Sequence, residues 1–164
     1  MRWIYEYLSS DHLRLDGYLE KAVAQPDAID VPAYAEFRKG LLRHIGMEEK
    51  ILFPAIARLK EGLKVEGFDK LRLDHGALVA LLVPPPSRPI ISTIRSILQA
   101  HNASEEGVGG VYAELDSLSE EETAKVTDQL KAFPEVPVLP HNQRDGILEI
   151  TRRAVERAGH RPEF

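Results

Sequence analysis

The stretch HIGMEEKILFP, residues 44–54, places a histidine and a carboxylate on a helix face that is otherwise apolar. Leu41 precedes and Leu52 follows on this face, and His44 and Glu48 occupy the two positions between them. Steps of three or four residues keep all four side chains on one side of a helix. An imidazole and a carboxylate therefore lie where core contacts are expected, and both groups can bind a metal ion.

Four helical patterns in the sequence share this feature: polar side chains replace apolar ones in the middle of the apolar face. Each carries one histidine, and two of them add a glutamate one turn further along the same face. A single core histidine usually makes a structural hydrogen bond, but four at matched depth favour a common site. The residues concerned are His12, His44, Glu48, His75, His101 and Glu105.

The same residues form an internal repeat. Asp-His on one helix is followed by His-x-x-x-Glu-Glu on the next, first as SSDHLRL and RHIGMEE, then as RLDHGAL and AHNASEE. Two such hairpins packed about a pseudo-twofold axis would bring the imidazoles and two of the carboxylates together at one level.

The energetics of burial indicate what this cluster holds. A buried, unpaired carboxylate costs at least several kcal/mol, and two facing each other disfavour joint ionisation. Because a domain is stable by only about 5–15 kcal/mol, an empty core is not expected to contain this set. Cations between the ligands remove the difficulty, and imidazole with carboxylate suits iron, manganese or zinc.

Two metal ions fit the ligand set better than one, because four nitrogens and two carboxylates overfill a tetrahedral zinc site. With both carboxylates bridging, the protein supplies about eight of the roughly twelve donor contacts that two octahedral ions take. A bridging oxide or hydroxide adds about two, which leaves about one open position per metal. A redox-capable pair of this kind can bind a small diatomic ligand.

Four long amphipathic patterns must position these ligands. They predict helices over residues 2–25, 32–60, 68–83 and 90–117, the last with Val108, Tyr112 and Leu115 on its apolar stripe. The breaks between them are short and rich in proline or glycine, and the run of three prolines in VPPPSRP cannot continue a helix. The pattern favours an all-α fold, an antiparallel up-down four-helix bundle.

A C-terminal helical extension follows, so the chain is divided into a metal-binding bundle, residues 1–118, and an extension, residues 119–164. The extension opens on a helix with Ser117 or Ser119 as N-cap. After a proline-rich connector, a last helix carries Ile147, Ile150 and Val155. The extension packs either on the bundle or on a second subunit, and a homodimer through it is one of the expected assemblies.

Composition excludes several classes of protein. The 164 residues fit one domain, and the absence of cysteine excludes disulfide scaffolds, zinc fingers, iron–sulfur clusters and thiol nucleophiles. A formal charge of −5 gives no support for nucleic-acid binding. No apolar run approaches the roughly 20 residues of a membrane span, and no signal-peptide core is present. We therefore expect a cytoplasmic protein with neither nucleic acid nor membrane as a partner.

At these motifs the sequence resembles the hemerythrin family, specifically the bacterial HHE cation-binding domains. The resemblance covers residues 1 to about 118 and rests on the two Asp-His pairs, HIGMEEKILFPAI and HNASEE in order. It implies an antiparallel four-helix bundle around a non-haem di-iron centre with a bridging oxide or hydroxide, with manganese or zinc as alternative metals. Oxygen binding, oxygen or redox sensing, iron handling and nitrosative-stress response are the implied roles.

The resemblance also implies a role for each ligand. The four histidines would be terminal ligands, and the two glutamates would bridge the irons. Oxygen-carrying hemerythrins place another histidine four residues after the one on the third helix, where this chain has Val79. This departure argues against reversible oxygen carriage and favours a more symmetric centre. GVGGVY also replaces the aliphatic run and proline that follow the first carboxylate motif.

The residues beside the ligands have less certain roles. Glu49 and Glu106 are interpreted mainly as solvated charges, with a ligand or charge-balancing role as the alternative. Asp11 and Asp74 either orient a histidine on a neighbouring helix or serve as surface or capping residues. Among the tyrosines Tyr112 is the best candidate to face the site. His141 and His160 are interpreted as surface residues.

These inferences predict a di-iron protein that binds or senses dioxygen, nitric oxide or redox state. A second class is an iron-handling protein or di-iron enzyme, which would oxidise or donate iron, repair damaged metal centres, or turn over peroxide or nitric oxide. A third is an interaction module whose metals are structural. The sequence does not decide whether the protein is an enzyme.

Overall fold

The regular elements of the chain are all helical. The computed structural model describes residues 2–164, and no strand occurs in that range. The α-helices are α1 (Trp3–Ala22), α2 (Val31–Met47), α3 (Phe53–Leu59), α4 (Phe68–Leu81), α5 (Arg88–Glu106), α6 (Glu120–Lys131) and α7 (Ile147–Arg157). A π-helical turn, Glu48–Leu52, joins α2 to α3, and a 3₁₀ segment, Val111–Ser117, follows α5. The predicted all-α class is confirmed.

The second predicted helix, 32–60, contains a turn of a different kind. Asp30 caps its start by accepting a hydrogen bond from the amide of Ala33 at 3.0 Å. The backbone stays helical to Leu59, but the turn that begins at Glu48 is π-helical. Pro54 lies two residues after the end of that turn, and its missing N–H removes one bond of a regular α-helix. Single π turns of this kind often occur at functional sites.

The helix predicted over 90–117 ends earlier, at Glu106. Gly109 adopts a φ of 75°, in the left-handed region that favours glycine. At Gly110 a Cβ would lie 2.5 Å from the carbonyl oxygen of Glu105, so the chain turns back closely over the end of α5. The glycines after the second carboxylate motif therefore stop the helix and reverse the chain.

This reversal changes which residues enter the core. Val108 lies at the turn and is fully exposed, so its assignment to the apolar stripe was wrong. Tyr112 and Leu115 return on the 3₁₀ segment and are buried, as predicted.

A polar layer separates two hydrophobic clusters. On α1, Leu15 and Leu19 belong to the first cluster and Ile4 and Leu8 to the second, with His12 between them. Both clusters draw on several helices. The first also contains Phe37, Leu41, Leu78, Ile94 and Val155, and the second Leu52, Phe53, Phe68, Tyr112 and Leu130. Burial on both sides holds the backbone around the polar layer in place.

The helices contact one another around this layer. α1 packs against α2 and α5, and α4 packs against α5 and α7. Across residues 2–164, none of these helices is long and apolar enough to cross a membrane.

The extension lies against the other helices. Ser119 is the N-cap of α6 and forms a capping box with Glu122. Arg43 of α2 donates to the carbonyl oxygens of Leu130 and Phe133 at the end of α6. Two of the apolar residues predicted on the last helix, α7, differ in burial: Val155 is fully buried, whereas Ile150 is 62 % exposed.

Candidate metal centre

The structure brings all six predicted ligand residues into one buried cluster. None of them is more than 7 % exposed, and the two carboxylates are completely buried. The cluster contains His12 from α1, His44 from α2, Glu48 from the π turn, His75 from α4, and His101 and Glu105 from α5.

Glu48 lies between two imidazoles on different helices. Its Oε1 is 3.3 Å from Nε2 of His44, and its Oε2 is 3.1 Å from Nε2 of His75. Each carboxylate oxygen therefore faces a separate histidine.

Glu105 repeats this arrangement on the other side of the cluster. Its Oε2 is 3.3 Å from Nε2 of His12, and its Oε1 is 3.0 Å from Nε2 of His101. Both glutamates thus lie between histidines of different helices, as the sequence repeat indicates.

The ligand atoms form two overlapping groups, and both glutamates belong to each. Within a group, the atoms offered to an ion all lie within 4.8 Å of one another. The first group is His12, His44, Glu48 and Glu105, and the second is Glu48, His75, His101 and Glu105. Each group could hold a metal ion, and the two groups share both carboxylates.

Three atoms of the cluster test whether a cation fits. Oε2 of Glu48, Nε2 of His75 and Oε1 of Glu105 are buried and have no hydrogen-bond partner. Buried polar atoms are nearly always paired, and an unpaired one costs about 1–3 kcal/mol. Because all three belong to the second group, a cation held there would satisfy them together.

Two aspartates hold histidines through the other ring nitrogen. Asp11 Oδ2 lies 2.8 Å from Nδ1 of His44, and Asp74 Oδ2 lies 3.1 Å from Nδ1 of His101. Of the two interpretations left open for these aspartates, orientation of a histidine on a neighbouring helix is therefore the correct one.

The second glutamate of each motif does the same for the remaining two histidines. Glu49 Oε1 is 2.6 Å from Nδ1 of His75, and Glu106 Oε1 contacts Nδ1 of His12. Their main interpretation as solvated charges was wrong, although both side chains stay partly exposed. The π turn allows Glu48 and Glu49, adjacent in sequence, to reach His75 from two sides.

The repeat therefore encodes both the candidate ligands and the carboxylates that hold the histidines. In each hairpin the aspartate holds the histidine of the next helix, and the second glutamate holds a histidine of the other hairpin. A carboxylate at Nδ1 fixes the proton there, which leaves the lone pair of Nε2 directed at the cluster. All four imidazoles are thus prepared to bind a cation through Nε2.

Tyr112 faces the centre, as predicted. Its hydroxyl donates to Oε1 of Glu48 at 2.6 Å and lies 3.4 Å from both Glu105 Oε2 and His12 Nε2. Burial, together with the negative charges of Glu48 and Glu105, raises the pKa of Tyr112 well above its usual value. The phenol therefore remains a hydrogen-bond donor, and the reversal after α5 is what places it there.

Two histidines of the cluster favour their protonated form when no cation is present. Burial alone would lower the pKa of His44, but the charge of Glu48 and the hydrogen bond to Asp11 raise it to about 10. Burial alone would also lower the pKa of His101, but the hydrogen bond to Asp74 and the negative charge of Glu105 raise it to about 10. Since the unfolded value is about 6.5, these two imidazolium ions favour the folded state.

A pH dependence of stability follows for the metal-free protein. A histidine whose pKa is raised on folding contributes its full stabilisation below the unfolded pKa of about 6.5. This contribution to the free energy of unfolding is lost as the pH rises through the folded pKa of about 10. We expect the urea midpoint of metal-free protein to fall across this range, and that of metal-loaded protein to change little, because the metal replaces the protons. A midpoint that does not change with pH in the metal-free protein would contradict the assignment of protonated histidines.

Two histidines outside the cluster, interpreted as surface residues, are partly exposed but have partners in the fold. Nε2 of His160 lies 2.7 Å from Oδ1 of Asp74, and the side chain is 17 % exposed. The ring of His141 stacks on Tyr34 with centroids 6.2 Å apart. No local motif marks either residue, because their partners are far away in the sequence.

Comparison with known proteins agrees with this geometry. The family model described as hemerythrin HHE cation binding domain matches residues 4–83, which contain His12, His44, Glu48 and His75. No curated protein and no solved structure matched the chain. His101 and Glu105 lie beyond the matched range, but the structure brings them to the same cluster. Residues 4–83 of the chain are therefore identified as a hemerythrin HHE cation-binding domain.

Proposed function

We propose that this cation-binding protein holds two iron ions and binds a small diatomic ligand, dioxygen or nitric oxide, at that centre. The observation that carries the proposal is the pair of overlapping ligand groups that share both buried glutamates. The four histidines serve as terminal ligands, and Glu48 and Glu105 bridge the two ions. Iron would supply redox chemistry and open coordination positions for the ligand.

The proposal includes an antiparallel four-helix bundle. Its four helices are α1, the continuous helix formed by α2, the π turn and α3, then α4, and finally α5. Residues 119–164 form the extension. The contacts between α1 and α5 support opposite directions. Tyr5 donates to the carbonyl oxygen of Glu106 at 3.2 Å, whereas Asp16, further along α1, pairs with Arg95, earlier on α5. Such bundles build metal sites from side chains on facing helices.

The two sides of the centre differ in access. A cavity of about 920 Å³ runs along α1 and α5 and reaches His12, His44, Glu48 and His101. On the other side the ring of Phe53, itself fully buried, stacks on His75 with centroids 5.8 Å apart. We therefore place ligand entry on the side of the cavity, away from His75.

Tyr112 is positioned to distinguish a bound ligand from water. Its hydroxyl lies beside His12 and Glu48, two residues that also line the cavity. With its pKa raised, this phenol can donate a hydrogen bond to a polar diatomic ligand. The surrounding Leu8 and Leu115 are buried and offer no competing donor.

Ligand binding can be tested on protein loaded anaerobically with Fe(II). We expect a stoichiometric change in the absorption spectrum on addition of nitric oxide, and oxo-bridge charge-transfer bands after exposure to air. In Tyr112→Phe the nitric oxide complex should dissociate about 2- to 10-fold faster, because one hydrogen bond is lost. Tyr18→Phe, on α1 away from the cluster, is the matched control. Iron-loaded protein that responds to neither gas would contradict the proposal.

One observation favours the second candidate, an iron-handling protein. The carboxylates of Asp16 and Glu106 line the cavity that leads to the centre, and oxygen ligands along a route suit passage of a hydrated cation. Rapid transfer of iron to a chelator, or steady turnover of peroxide with a reductant, would favour this alternative over stoichiometric ligand binding.

Association and location remain proposals. Leu139, Leu148 and Ile150 in the extension are 78 %, 46 % and 62 % exposed, which supports a homodimer through this surface. Sedimentation of the wild type and Ile150→Lys would test it. Cytoplasmic residence remains the expectation from composition.

A further inference from the structure

Asp74 joins the candidate centre to the C-terminal end of the chain. One of its oxygens, Oδ2, contacts Nδ1 of His101, and the other, Oδ1, lies 2.7 Å from Nε2 of His160 and 2.5 Å from Nζ of Lys70. Asp74 is only 3 % exposed. Its position is therefore determined from both sides, by a histidine of the cluster and by a residue of the C-terminal segment, which we define as residues 146–164.

Several further contacts hold this segment against α4 and α5. Nζ of Lys70 donates to the carbonyl oxygen of Ala158 at 2.6 Å, at the end of α7. The amide of Glu163 donates to Oγ1 of Thr93 on α5 at 3.0 Å. Val155 is fully buried against the first hydrophobic cluster. Docking of the segment and placement of His160 beside Asp74 are therefore one structural event.

The corresponding aspartate of the other hairpin is supported differently. Asp11 holds His44, but its second oxygen pairs with Arg14, three residues later on the same helix. Arg14 is half-exposed and belongs to α1 itself. The two halves of the repeat are thus equivalent at the histidines and differ in what supports the aspartates. The difference is confined to the C-terminal segment.

We propose that His160 is a positioning residue for the centre, and that docking of the C-terminal segment and metal binding at His101 are coupled. This inference rests on cation binding by the cluster, which it extends with a regulatory element. When the segment is docked, His160 and Lys70 hold Asp74 against Nδ1 of His101. His101 then keeps its proton on Nδ1 and offers Nε2 to the cation.

Undocking reverses each of these steps. Asp74 loses His160, and Lys70, which stays beside Asp74 on α4, loses the carbonyl oxygen of Ala158. Asp74 is then held less firmly against His101, so that the imidazole is freer to turn or to place its proton on Nε2. Either change lowers the affinity of His101 for a cation. Because coupling between two sites is reciprocal, the cation must favour the docked segment by the same factor. The segment thereby reports the state of a buried centre to the surface of the protein.

The coupling can be measured on the full chain with Fe(II) under anaerobic conditions. Iron affinity is measured by competition with a chelator, and amide hydrogen exchange of residues 151–160 is measured with and without iron. His160→Phe removes the donor to Asp74 while retaining an aromatic ring. His160→Gln keeps an N–H that can donate to Asp74 and tests rescue. Arg14→Leu removes the support of Asp11 and is the matched control on the other hairpin.

We expect iron to slow exchange of residues 151–160 in the wild type. His160→Phe should lower iron affinity about 3- to 10-fold, less than the roughly 10- to 100-fold typical of a residue that contacts the ligand directly. It should also abolish the iron-dependent slowing, and His160→Gln should restore both effects. Arg14→Leu should leave the iron-dependent slowing intact.

Two results would overturn the coupling. One is exchange in residues 151–160 that is equal with and without iron in a wild type that binds iron. The other is unchanged iron affinity in His160→Phe. A wild type that binds no Fe(II) would instead overturn the proposed function, and this inference with it.

Discussion

Glu48→Ala is expected to abolish binding of both metal ions, because Glu48 belongs to both ligand groups. Its loss leaves each group with one carboxylate and removes the partner of the Tyr112 hydroxyl. The stabilisation that a bound metal gives to the folded state is lost as well. Metal analysis and thermal unfolding after anaerobic loading with Fe(II) measure both effects. Glu105→Ala is expected to behave in the same way, since Glu105 is equally shared.

The metal-free forms separate loss of metal from loss of folding. Removing one partner of a buried ion pair typically costs about 3–5 kcal/mol, so Glu48→Ala also destabilises the protein without metal. Glu48→Gln retains the shape of the side chain and an acceptor for Tyr112. It should therefore fold better than Glu48→Ala while still failing to hold two ions. Glu114→Ala, which removes a partly exposed carboxylate paired with Lys60, is the control. Wild-type metal content in both Glu48→Ala and Glu105→Ala would refute the bridging role.

Asp11→Asn and Asp74→Asn should each lower metal affinity about 10- to 100-fold. Asparagine can donate its amide to Nδ1 and thereby favour the tautomer whose proton is on Nε2, which cannot bind a cation. The loss should be similar in the two variants, because the two aspartates occupy equivalent positions in the repeat. Chelator competition measures the affinity.

Asp128→Asn, an exposed substitution on α6, controls for the change of charge. The role assigned to the aspartates fails if Asp11→Asn and Asp74→Asn bind metal as tightly as this control. If only Asp74→Asn loses affinity, the equivalence of the two hairpins fails, although the coupling to the C-terminal segment does not.

The ligand cluster could be predicted because it is encoded by helical period. His44 and Glu48 are one turn apart, and each histidine interrupts an otherwise apolar stripe. The physical cost of burying these groups unpaired then indicated a cation. The all-helical class and the predicted N-cap at Ser119 follow from equally local signals.

Other features depend on contacts that no local pattern contains. The π turn at Glu48 and the chain reversal at Gly110 both change the helical period. Because the reversal is not visible in the periodic pattern, Val108 was wrongly placed in the core. Glu49 and Glu106 look like solvated charges on a helical projection, because their histidines lie on other helices.

The role of His160 illustrates the same limit over a longer distance. It meets Asp74 across 86 positions of sequence, and the packing of α7 against α4 is what brings them together. Nothing in GHRPEF itself indicates that partner. The Asp-His pairs left orientation of a histidine on a neighbouring helix as one of two interpretations, and they contained no sign of the contact with His160.

The most direct test of the account is the number of metal ions that each chain binds. Wild-type protein is loaded anaerobically with Fe(II), freed of excess metal, and analysed for iron and protein. The two ligand groups that share Glu48 and Glu105 predict two irons per chain. One metal ion per chain, or none with iron available, would contradict the dinuclear centre.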